Sequence, residues 1–287
     1  MRMPASVSPR IGAGFLLLAA ALWGSSVVVI KPVLADVPAA WINTLRFVIA
    51  VLTLSPFICA DKKIWRAGLE LSGWLFAGFA SQTIALRYTT VNRCAFITAM
   101  NVIFVPLIAA LFGRRIRPMI WAAAITSLAG CWLLCQDGSG PNVGDLWTLG
   151  TAITWAMYIL RLESKAGDFP PLPLAIAQLI PVAIFSGVWM AAHPEPVVHF
   201  HWPAMLFLGL AATAATTFLQ AVGQRVVPAP QAAVIFTLEP VFTAIFAYPI
   251  LHERLNAIGG AGAVMIILAA FATQIPATRR EPVAVAS

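Results

Sequence analysis

Residues 11–30 read IGAGFLLLAAALWGSSVVVI, a run of twenty residues without a charged side chain. An α-helix rises about 1.5 Å per residue, so a helix of this length crosses the roughly 30 Å hydrocarbon core of a bilayer. A membrane β-barrel would instead show alternating segments of about ten residues, half the length of this run. The run therefore predicts a transmembrane helix.

Apolar segments of the same kind recur along the whole chain. Of its 287 residues, 60% are hydrophobic and 10% are charged, whereas about a quarter of the residues in soluble proteins are charged. We therefore predict an all-α membrane protein with ten transmembrane helices. Proline, glycine and charged clusters delimit them as residues 11–31, 39–60, 69–87, 92–112, 118–136, 145–162, 172–191, 203–224, 229–250 and 256–275.

Positive charge is distributed unevenly between the loops. Cytoplasmic loops of membrane proteins are enriched in Lys and Arg. If the N-terminus is inside, thirteen of the 18 basic residues lie on the inner side: Arg2, Arg10, Lys62, Lys63, Arg66, Arg114, Arg115, Arg117, Arg161, Lys165, Arg225, Arg279 and Arg280. The outer side holds Lys31, Arg87, Arg93 and Arg254, and Arg46 lies within a span. We expect an inner-membrane protein with both termini in the cytoplasm.

The net charge of +7 does not indicate a nucleic-acid partner. The basic residues lie in short groups between apolar segments and form no continuous stripe. The expected partners are the lipid bilayer and a small-molecule substrate, and the sequence leaves open whether the protein is a monomer or a dimer.

The two halves of the chain resemble each other. At an offset of 132 residues, LLAAALWGSSVVVIK (17–31) lies beside LGTAITWAMYILRLE (149–163), with Trp23 opposite Trp155. At an offset of 138, AFITAMNVIFVPLIAAL (95–111) lies beside AVIFTLEPVFTAIFAYP (233–249). This second alignment sets Asn101 opposite Glu239.

Each half holds five of the predicted spans. Because five is odd, the second copy must cross the membrane in the opposite sense, as in the inverted repeats of many secondary transporters. We therefore predict two inverted five-helix repeats, residues 1–137 and 138–287, around a central cavity in one integrated transmembrane domain.

Four segments carry a resemblance to a known family: LLAAALWGSSVVVIK (17–31), NTLRFVIAVL (43–52), ALRYTTVNRCAFITAMNVIFVPLIAALF (85–112) and QAAVIFTLEPVFTAIFAYPILHERL (231–255). They resemble the drug/metabolite transporter superfamily, specifically its ten-helix EamA-type exporters, including the aromatic amino-acid exporter branch. The resemblance covers nearly the whole chain and implies secondary transport of small metabolites out of the cytoplasm. One departure is that the family often has Gly-Glu-Arg after its fourth helix, where this chain has Gly113, Arg114 and Arg115, although Glu253 and Arg254 follow the ninth.

Two ionisable residues lie deep within predicted spans. A charged side chain at the centre of a membrane helix costs about 2.5 to 3.5 kcal/mol on insertion scales, so each needs a partner, a cavity or a neutral form. Glu239, near the middle of the ninth span, is a candidate for carrying a coupling proton; alternatively it is a hydrogen-bonded residue that braces a kink at Pro240. Arg46 either contributes to a site or caps carbonyl groups within the bundle.

Prolines interrupt three spans. Pro106 and Pro240 lie in corresponding helices of the two halves, and Pro181 lies in the seventh span. Each proline removes a backbone donor and frees the carbonyl four residues earlier. Such groups persist at membrane depth where protein or a watery cavity satisfies them, so we expect kinks that either face a cavity or serve packing.

Several spans carry their polar groups on one face at helical spacing. These stripes are Asn43, Arg46, Ala50 and Thr53; Thr148, Thr151, Trp155 and Tyr158; and Thr213, Thr216, Thr217, Gln220 and Gln224. Lipid offers no hydrogen bonds, so the stripes are expected to face inward. There they either form hydrogen bonds with neighbouring helices or line a passage. The candidate substrate-binding residues are Trp23, Ser26, Asn43, Arg46, Gln82, Phe96, Asn101, Trp155, Tyr158, Gln178, Thr217, Gln220 and Phe236. Such a lining suits a ring-stacking, amphipathic substrate.

No sequence motif points to an enzyme, a cofactor or a metal site. The chain contains neither a G-x-x-x-x-G-K-[ST] phosphate loop nor an H-E-x-x-H pair. His193, His199 and His201 lie beside Glu195 in an outer loop, which is either a metal site or, as we favour, a solvated loop. The four cysteines are interpreted as small buried hydrophobic residues.

The leading hypothesis is a secondary transporter that exports amino acids, aromatic and other small amphipathic ones, or related metabolites by alternating access. Other small metabolites or drugs are alternative substrates. A channel and an intramembrane enzyme are the alternatives from other classes, and each is separable by experiment: a channel conducts without substrate competition, and an enzyme forms a covalent product.

Overall fold

The computed structural model describes residues 7–135, 141–251 and 256–274. Within these residues the chain forms α-helices and no strand. The helices are α1 (Pro9–Val33), α2 (Ala39–Leu54), α3 (Lys62–Tyr88), α4 (Val91–Ala99), α5 (Asn101–Leu111), α6 (Pro118–Leu134), α7 (Val143–Ala166), α8 (Pro171–Ala192), α9 (Trp202–Gly209), α10 (Thr216–Gly223), α11 (Ala229–Phe236), α12 (Glu239–Leu251) and α13 (Ala257–Ala272). A 3₁₀ turn (Ser55–Phe57) follows α2, and a π-helical turn (Leu210–Ala215) joins α9 to α10.

In sequence, these helices overlap the ten predicted apolar segments. Among the described residues, six stretches are long and apolar enough to cross a membrane. The six are Pro9–Val33, Ala39–Phe57, Val91–Leu111, Pro171–Ala192, Trp202–Gly223 and Ala229–Ile250. The apolar helices α6 and α13 are shorter, and α3 and α7 carry charged residues near their ends. Five residues of the charge pattern and the family motif lie outside the described residues: Arg2, Glu253, Arg254, Arg279 and Arg280.

Large apolar side chains cover the outside of the helices. Leu111, Trp132, Ile184, Leu268 and Phe271 are each more than half exposed. A soluble protein rarely exposes large continuous apolar patches, whereas a bilayer requires such a surface. The interior holds apolar residues of all sizes, from alanine to tryptophan, together with the polar groups of several helices. The fold is therefore that of an all-α protein of the membrane.

Glycines allow two pairs of helices to approach to backbone contact. A Cβ on Gly262 of α13 would lie 2.4 Å from the carbonyl oxygen of Gly130 in α6, and one on Gly24 of α1 would lie 2.7 Å from the carbonyl oxygen of Glu239 in α12. Gly260 of α13 makes no such approach, because nothing lies within 4 Å of a Cβ built there.

Ion pairs divide the loops and helix ends into two groups, one at each end of the helices. One end holds Arg87–Glu195, Arg93–Asp145 and His201–Asp36. The other holds Arg114–Glu163, Arg161–Glu70 and Lys165–Glu70. Each pair joins segments that the charge bias assigns to the same side of the membrane. The hydrogen bond from Arg87 holds the pKa of Glu195, in a loop at the first end, below its ordinary value.

Two helices are broken at equivalent places in the two halves. Between α4 and α5 the backbone N–H of Met100 bonds to the carbonyl of Ile97 at 3.1 Å, one residue closer than in an α-helix. Between α11 and α12 the break covers residues 237–238, just before Pro240. The expectation of a break at proline holds there.

Two other prolines do not interrupt their helices. Helix α5 continues through Pro106, and α8 continues through Pro181. A proline removes only one backbone donor, and the remaining hydrogen bonds are sufficient to keep the chain helical on both sides of it.

The polar stripes face the interior with one exception. In α7 and in the segment from the π-helical turn to α10, every residue of the predicted stripe is buried. In α2, Asn43 and Arg46 are buried, but Thr53 is exposed and its hydroxyl donates to the carbonyl of Ile49 at 2.8 Å. This internal bond satisfies the hydroxyl without a neighbouring helix, so the expectation for Thr53 is wrong.

Candidate functional site

A narrow cavity lies near the middle of the helices, between the two halves of the chain. The first half contributes residues of α1, α3, α4 and α5, and the second half contributes residues of α7, α11 and α12. Its volume of about 20 Å³ is room for roughly one water molecule. Its walls are Trp23, Ser26, Phe79, Gln82, Thr98, Asn101, Trp155, Ile159, Phe236 and Glu239.

Aromatic rings form one side of the cavity. Trp23 lies between Trp155, at 5.3 Å between ring centroids, and Phe236, at 5.2 Å. Phe79 extends the row with a ring 5.2 Å from Trp155 at an angle of 71°. Because Trp23 belongs to the first half and Trp155 to the second, this contact closes the space between the halves.

Two residues of the cavity wall carry buried polar atoms that lack partners among the described residues. In the described part of the chain, neither Nε1 of Trp23 nor Oδ1 of Asn101 has a hydrogen-bond partner. Buried polar groups are nearly always paired, so an unpaired donor and an unpaired acceptor beside one cavity indicate that a ligand or water completes them.

Glu239 supplies the charged group of the cavity wall. It is the first residue of α12, where the positive end of a helix dipole favours a carboxylate. Among the residues that the structure describes, no Lys or Arg lies within salt-bridge distance of it. Its backbone is fixed by the close approach of Gly24 and by Thr243, whose hydroxyl donates to the Glu239 carbonyl at 3.0 Å.

The cavity brings together half of the residues proposed from the sequence. Those in its wall are Trp23, Ser26, Gln82, Asn101, Trp155, Phe236 and Glu239. The other seven lie outside the wall: Asn43, Arg46, Phe96, Tyr158, Gln178, Thr217 and Gln220.

Tyr158 and Gln178 form a buried pair behind the cavity. The Tyr158 hydroxyl donates to Oε1 of Gln178 at 2.9 Å, and its ring lies 5.6 Å from that of Trp155. The Nε2 atom of Gln178 has no partner within the described residues. The pair therefore supports the ring of Trp155 from the side away from the cavity.

A second group of amides lies toward the end of α10. Nε2 of Gln220 donates to Oε1 of Gln224 at 2.8 Å, and Nε2 of Gln224 donates to the carbonyl of Ile159, also at 2.8 Å. Thr217 is buried on the same helix. These amides lie outside the cavity wall. They contact the site indirectly, because the carbonyl that accepts from Gln224 belongs to Ile159, a residue of the wall.

Arg46 caps the π-helical turn. Its Nε–H donates to Oγ1 of Thr213 at 2.8 Å, and a terminal N–H donates to the carbonyl of Ala212 at 3.2 Å. The guanidinium also lies 4.4 Å from the ring centroid of Phe79, a residue of the cavity wall. A π-helical turn leaves carbonyl groups out of the regular ladder, so the capping alternative for Arg46 matches its contacts.

The remaining two candidates lie farther away. Asn43 accepts a hydrogen bond of 3.4 Å from Thr83, and its Nδ2 has no partner among the described residues. Phe96 contacts the ring of Trp132 at 5.5 Å, and Trp132 is 58% exposed, so this pair lies toward the outer surface.

Three residues of the cavity wall were not predicted from the sequence. Each lies three or four residues from a predicted one within the same predicted span: Phe79 before Gln82, Thr98 before Asn101, and Ile159 after Trp155. Residues at this spacing share a helix face. Extending each predicted position by one turn would have found all three.

The described residues contain no cluster of His, Cys, Asp or Glu that could hold a metal ion. In the loop after α8, His201 contacts Asp36 at 2.7 Å and the ring of His199 at 4.9 Å. Three of the four cysteines, Cys94, Cys131 and Cys135, are buried.

The comparison with protein families matches both halves of the chain. The model of the EamA-like transporter family matches residues 10–136 and, separately, residues 142–274. The chain belongs to the EamA-like transporter family. Its members are transporters and not enzymes.

Individual relatives agree with the family. An uncharacterized transporter of Archaeoglobus fulgidus is 30% identical over 262 residues, covering 88% of this chain and 82% of that protein. The threonine/homoserine exporter RhtA of Salmonella typhimurium is 27% identical over 280 residues, covering 93% of this chain and 92% of that protein. A solved crystal structure matches with a TM-score of 0.75 at 18% identity and covers 91% of this chain and 95% of that one, which shows the same fold.

Proposed function

We propose that the protein is a secondary active transporter that exports amino acids, aromatic and other small amphipathic ones, or related metabolites from the cytoplasm across the inner membrane. The observation that carries the proposal is the cavity between the halves, where aromatic rings, unpaired polar atoms and one carboxylate meet. The threonine/homoserine export named for the related RhtA supports this substrate class.

The cavity wall is complementary to a zwitterion with an apolar side chain. The carboxylate of Glu239 and Oδ1 of Asn101 accept hydrogen bonds, as an ammonium group requires. The indole N–H of Trp23 is a free donor for a substrate carboxylate. The rings of Trp155 and Phe236 offer faces on which an aromatic or aliphatic side chain packs.

Alternating access follows from an inverted-repeat organisation. We propose two five-helix repeats, residues 1–137 and 138–287, with all ten helices crossing the membrane and both termini in the cytoplasm. The separate family matches to the two halves support this arrangement. In transporters of this plan, one repeat rocks against the other around a site at the repeat interface. Such motion would separate Trp23 from Trp155 and enlarge the narrow cavity to the size of a substrate.

The ion pairs at the two ends would then open in turn. At the outer end, Arg93 of α4 in the first half binds Asp145 of α7 in the second. At the inner end, Arg114 binds Glu163, whose Oε1 also accepts the backbone N–H of Ala229 at 3.1 Å. Both ion pairs join the two halves, so opening one end while keeping the other closed gives access from one side at a time.

Glu239 is our candidate for coupling export to a proton. If Glu239 carries the coupling proton, binding of the substrate must change the affinity of the site for the proton or its access to the site, and the proton must do the same for the substrate. Both would compete for the same carboxylate, because an ammonium group binds the ionised form more strongly than the neutral one. A proton entering from outside would therefore displace the substrate, and its release to the cytoplasm would restore the site.

Counterflow in proteoliposomes tests the proposed function. Purified protein is reconstituted in vesicles loaded with one unlabelled amino acid, and uptake of the same labelled amino acid is measured across a panel that includes phenylalanine, threonine and homoserine. Saturable uptake that depends on internal substrate supports a transporter. A substrate-independent conductance would instead indicate a channel, and the absence of exchange for every amino acid would refute this substrate class.

A further inference from the structure

An apolar groove opens on the side of the bundle, apart from the cavity described above. It lies between α1, the α11–α12 pair and α13, and its volume is about 490 Å³. Leu17 of α1, Phe242 of α12 and Phe271 of α13 stand in its wall. Leu17 and Phe271 are exposed at the bundle surface, so the groove is open to the membrane.

The groove has the depth of about one bilayer leaflet. Along α1 it extends from Arg10 to Leu17, along α13 from Gln274 to Ile267, and along α11 and α12 from Ile235 to Ile245. Seven to ten residues of helix cover about 10 to 15 Å, and one leaflet contributes about 15 Å of hydrocarbon. The groove therefore starts at the membrane surface and extends through about one leaflet.

The polar residues of the groove are confined to its mouth. Apart from Arg10 and Gln274 at the ends of α1 and α13, the residues lining it are apolar or glycine. Arg10 is exposed, and no carboxylate of the described chain forms an ion pair with it. It also lies in the first turn of α1, where the helix dipole favours a phosphate.

We infer that the groove is a binding site for one acyl chain of an anionic phospholipid, whose phosphate is held by Arg10. The apolar channel matches the acyl chain, and the cation at the level of the headgroups matches the phosphate of such a lipid. This site is independent of the transported substrate. Its wall includes Leu238 and Phe242, which lie one and three residues from Glu239, so the lipid would pack against the helix that carries this carboxylate.

Gly14 provides a direct test because it lines the groove and nothing lies within 4 Å of a Cβ built there. A Gly14→Phe side chain would fill the groove without displacing protein atoms. Gly73 of α3 is equally open but lies elsewhere, so Gly73→Phe is the matched control. Elution volume and helix content of each detergent-solubilised variant check that it folds.

The measurement is native mass spectrometry of the full chain after incubation with equal amounts of phosphatidylglycerol and phosphatidylcholine. Wild type and Gly73→Phe should retain one phosphatidylglycerol molecule, and Gly14→Phe should lose at least three quarters of this adduct. Arg10→Gln should still bind lipid but without preference between the two headgroups. Retention by Gly14→Phe at the wild-type level, a wild type without bound phospholipid, or a headgroup preference unchanged in Arg10→Gln would each overturn the assignment.

Discussion

Asn101 and Glu239 occupy equivalent positions in the two halves of the protein. Each is the first residue of the second helix of a broken pair, α5 or α12, and each lines the central cavity. The 138-residue offset between the halves sets them opposite each other in sequence. The first half contributes an amide at this position and the second half a carboxylate, so the titratable group of the pair belongs to the second half alone.

Glu239→Gln removes that titratable group while keeping its size and hydrogen-bonding capacity. The variant should still perform substrate counterflow but lose export driven by a pH gradient, because glutamine cannot carry a proton. Both rates are measured in the same reconstituted vesicles. Asp168→Asn, at an exposed position after α7, is the control and should retain both. Gradient-driven export by Glu239→Gln at near the wild-type rate would make Glu239 a structural residue.

The membrane orientation is testable by cysteine labelling. Val198 is 78% exposed in the loop after α8, and Arg115 is exposed after α5. In intact spheroplasts of a Cys59→Ser background, a membrane-impermeant maleimide should label Val198→Cys, and it should label Arg115→Cys only after permeabilisation. The reverse pattern would contradict the orientation given by the charge bias, and labelling of both from outside would contradict the alternate crossing of the helices.

Gly262 and Gly260 are a matched pair for the packing of α6 against α13. In Gly262→Ala the new methyl group meets the Gly130 carbonyl, and overpacking of this kind costs about 1 to 3 kcal/mol. Gly260→Ala places its methyl group in open space. Thermal unfolding in detergent should therefore show a lower melting temperature for Gly262→Ala only. Equal melting temperatures for the two variants would show that the close contact is absent.

Arg46→Ala should destabilise the protein because it removes the side-chain donor to the Thr213 hydroxyl and one of two side-chain donors to the Ala212 carbonyl, which Thr216 also bonds. A hydrogen bond from a charged group contributes about 1.5 to 3 kcal/mol, so the melting temperature should fall measurably. Arg46→Lys should recover part of the loss, since lysine retains the charge but lacks the forked geometry. Arg115→Ala, at an exposed position, should have no effect. A wild-type melting temperature for Arg46→Ala would refute the capping role.

The helices and seven of the ten residues of the cavity wall follow from the sequence, because apolar length and helical spacing are properties of neighbouring residues and the repeat is visible when the two halves are compared. What sequence does not specify is which side of a buried helix meets which neighbour. Tyr158 and Trp155 lie on one stripe of α7, yet Tyr158 bonds to Gln178 behind the wall while Trp155 lines it. The position of helix breaks is similarly set by tertiary packing, as α5 shows by continuing through Pro106.

The most direct test of the central claim compares two tryptophans of the same helix. Trp155 of α7 lines the cavity, whereas Trp147, two turns away, is 43% exposed on the outer face. Aromatic contacts contribute about 0.5 to 1.5 kcal/mol, so Trp155→Ala should weaken the apparent affinity for phenylalanine in counterflow by about two- to tenfold, with a smaller effect on threonine. Trp147→Ala should match wild type for both substrates. Unchanged phenylalanine affinity in Trp155→Ala, or equal losses in the two variants, would contradict the assignment of this cavity as the substrate site.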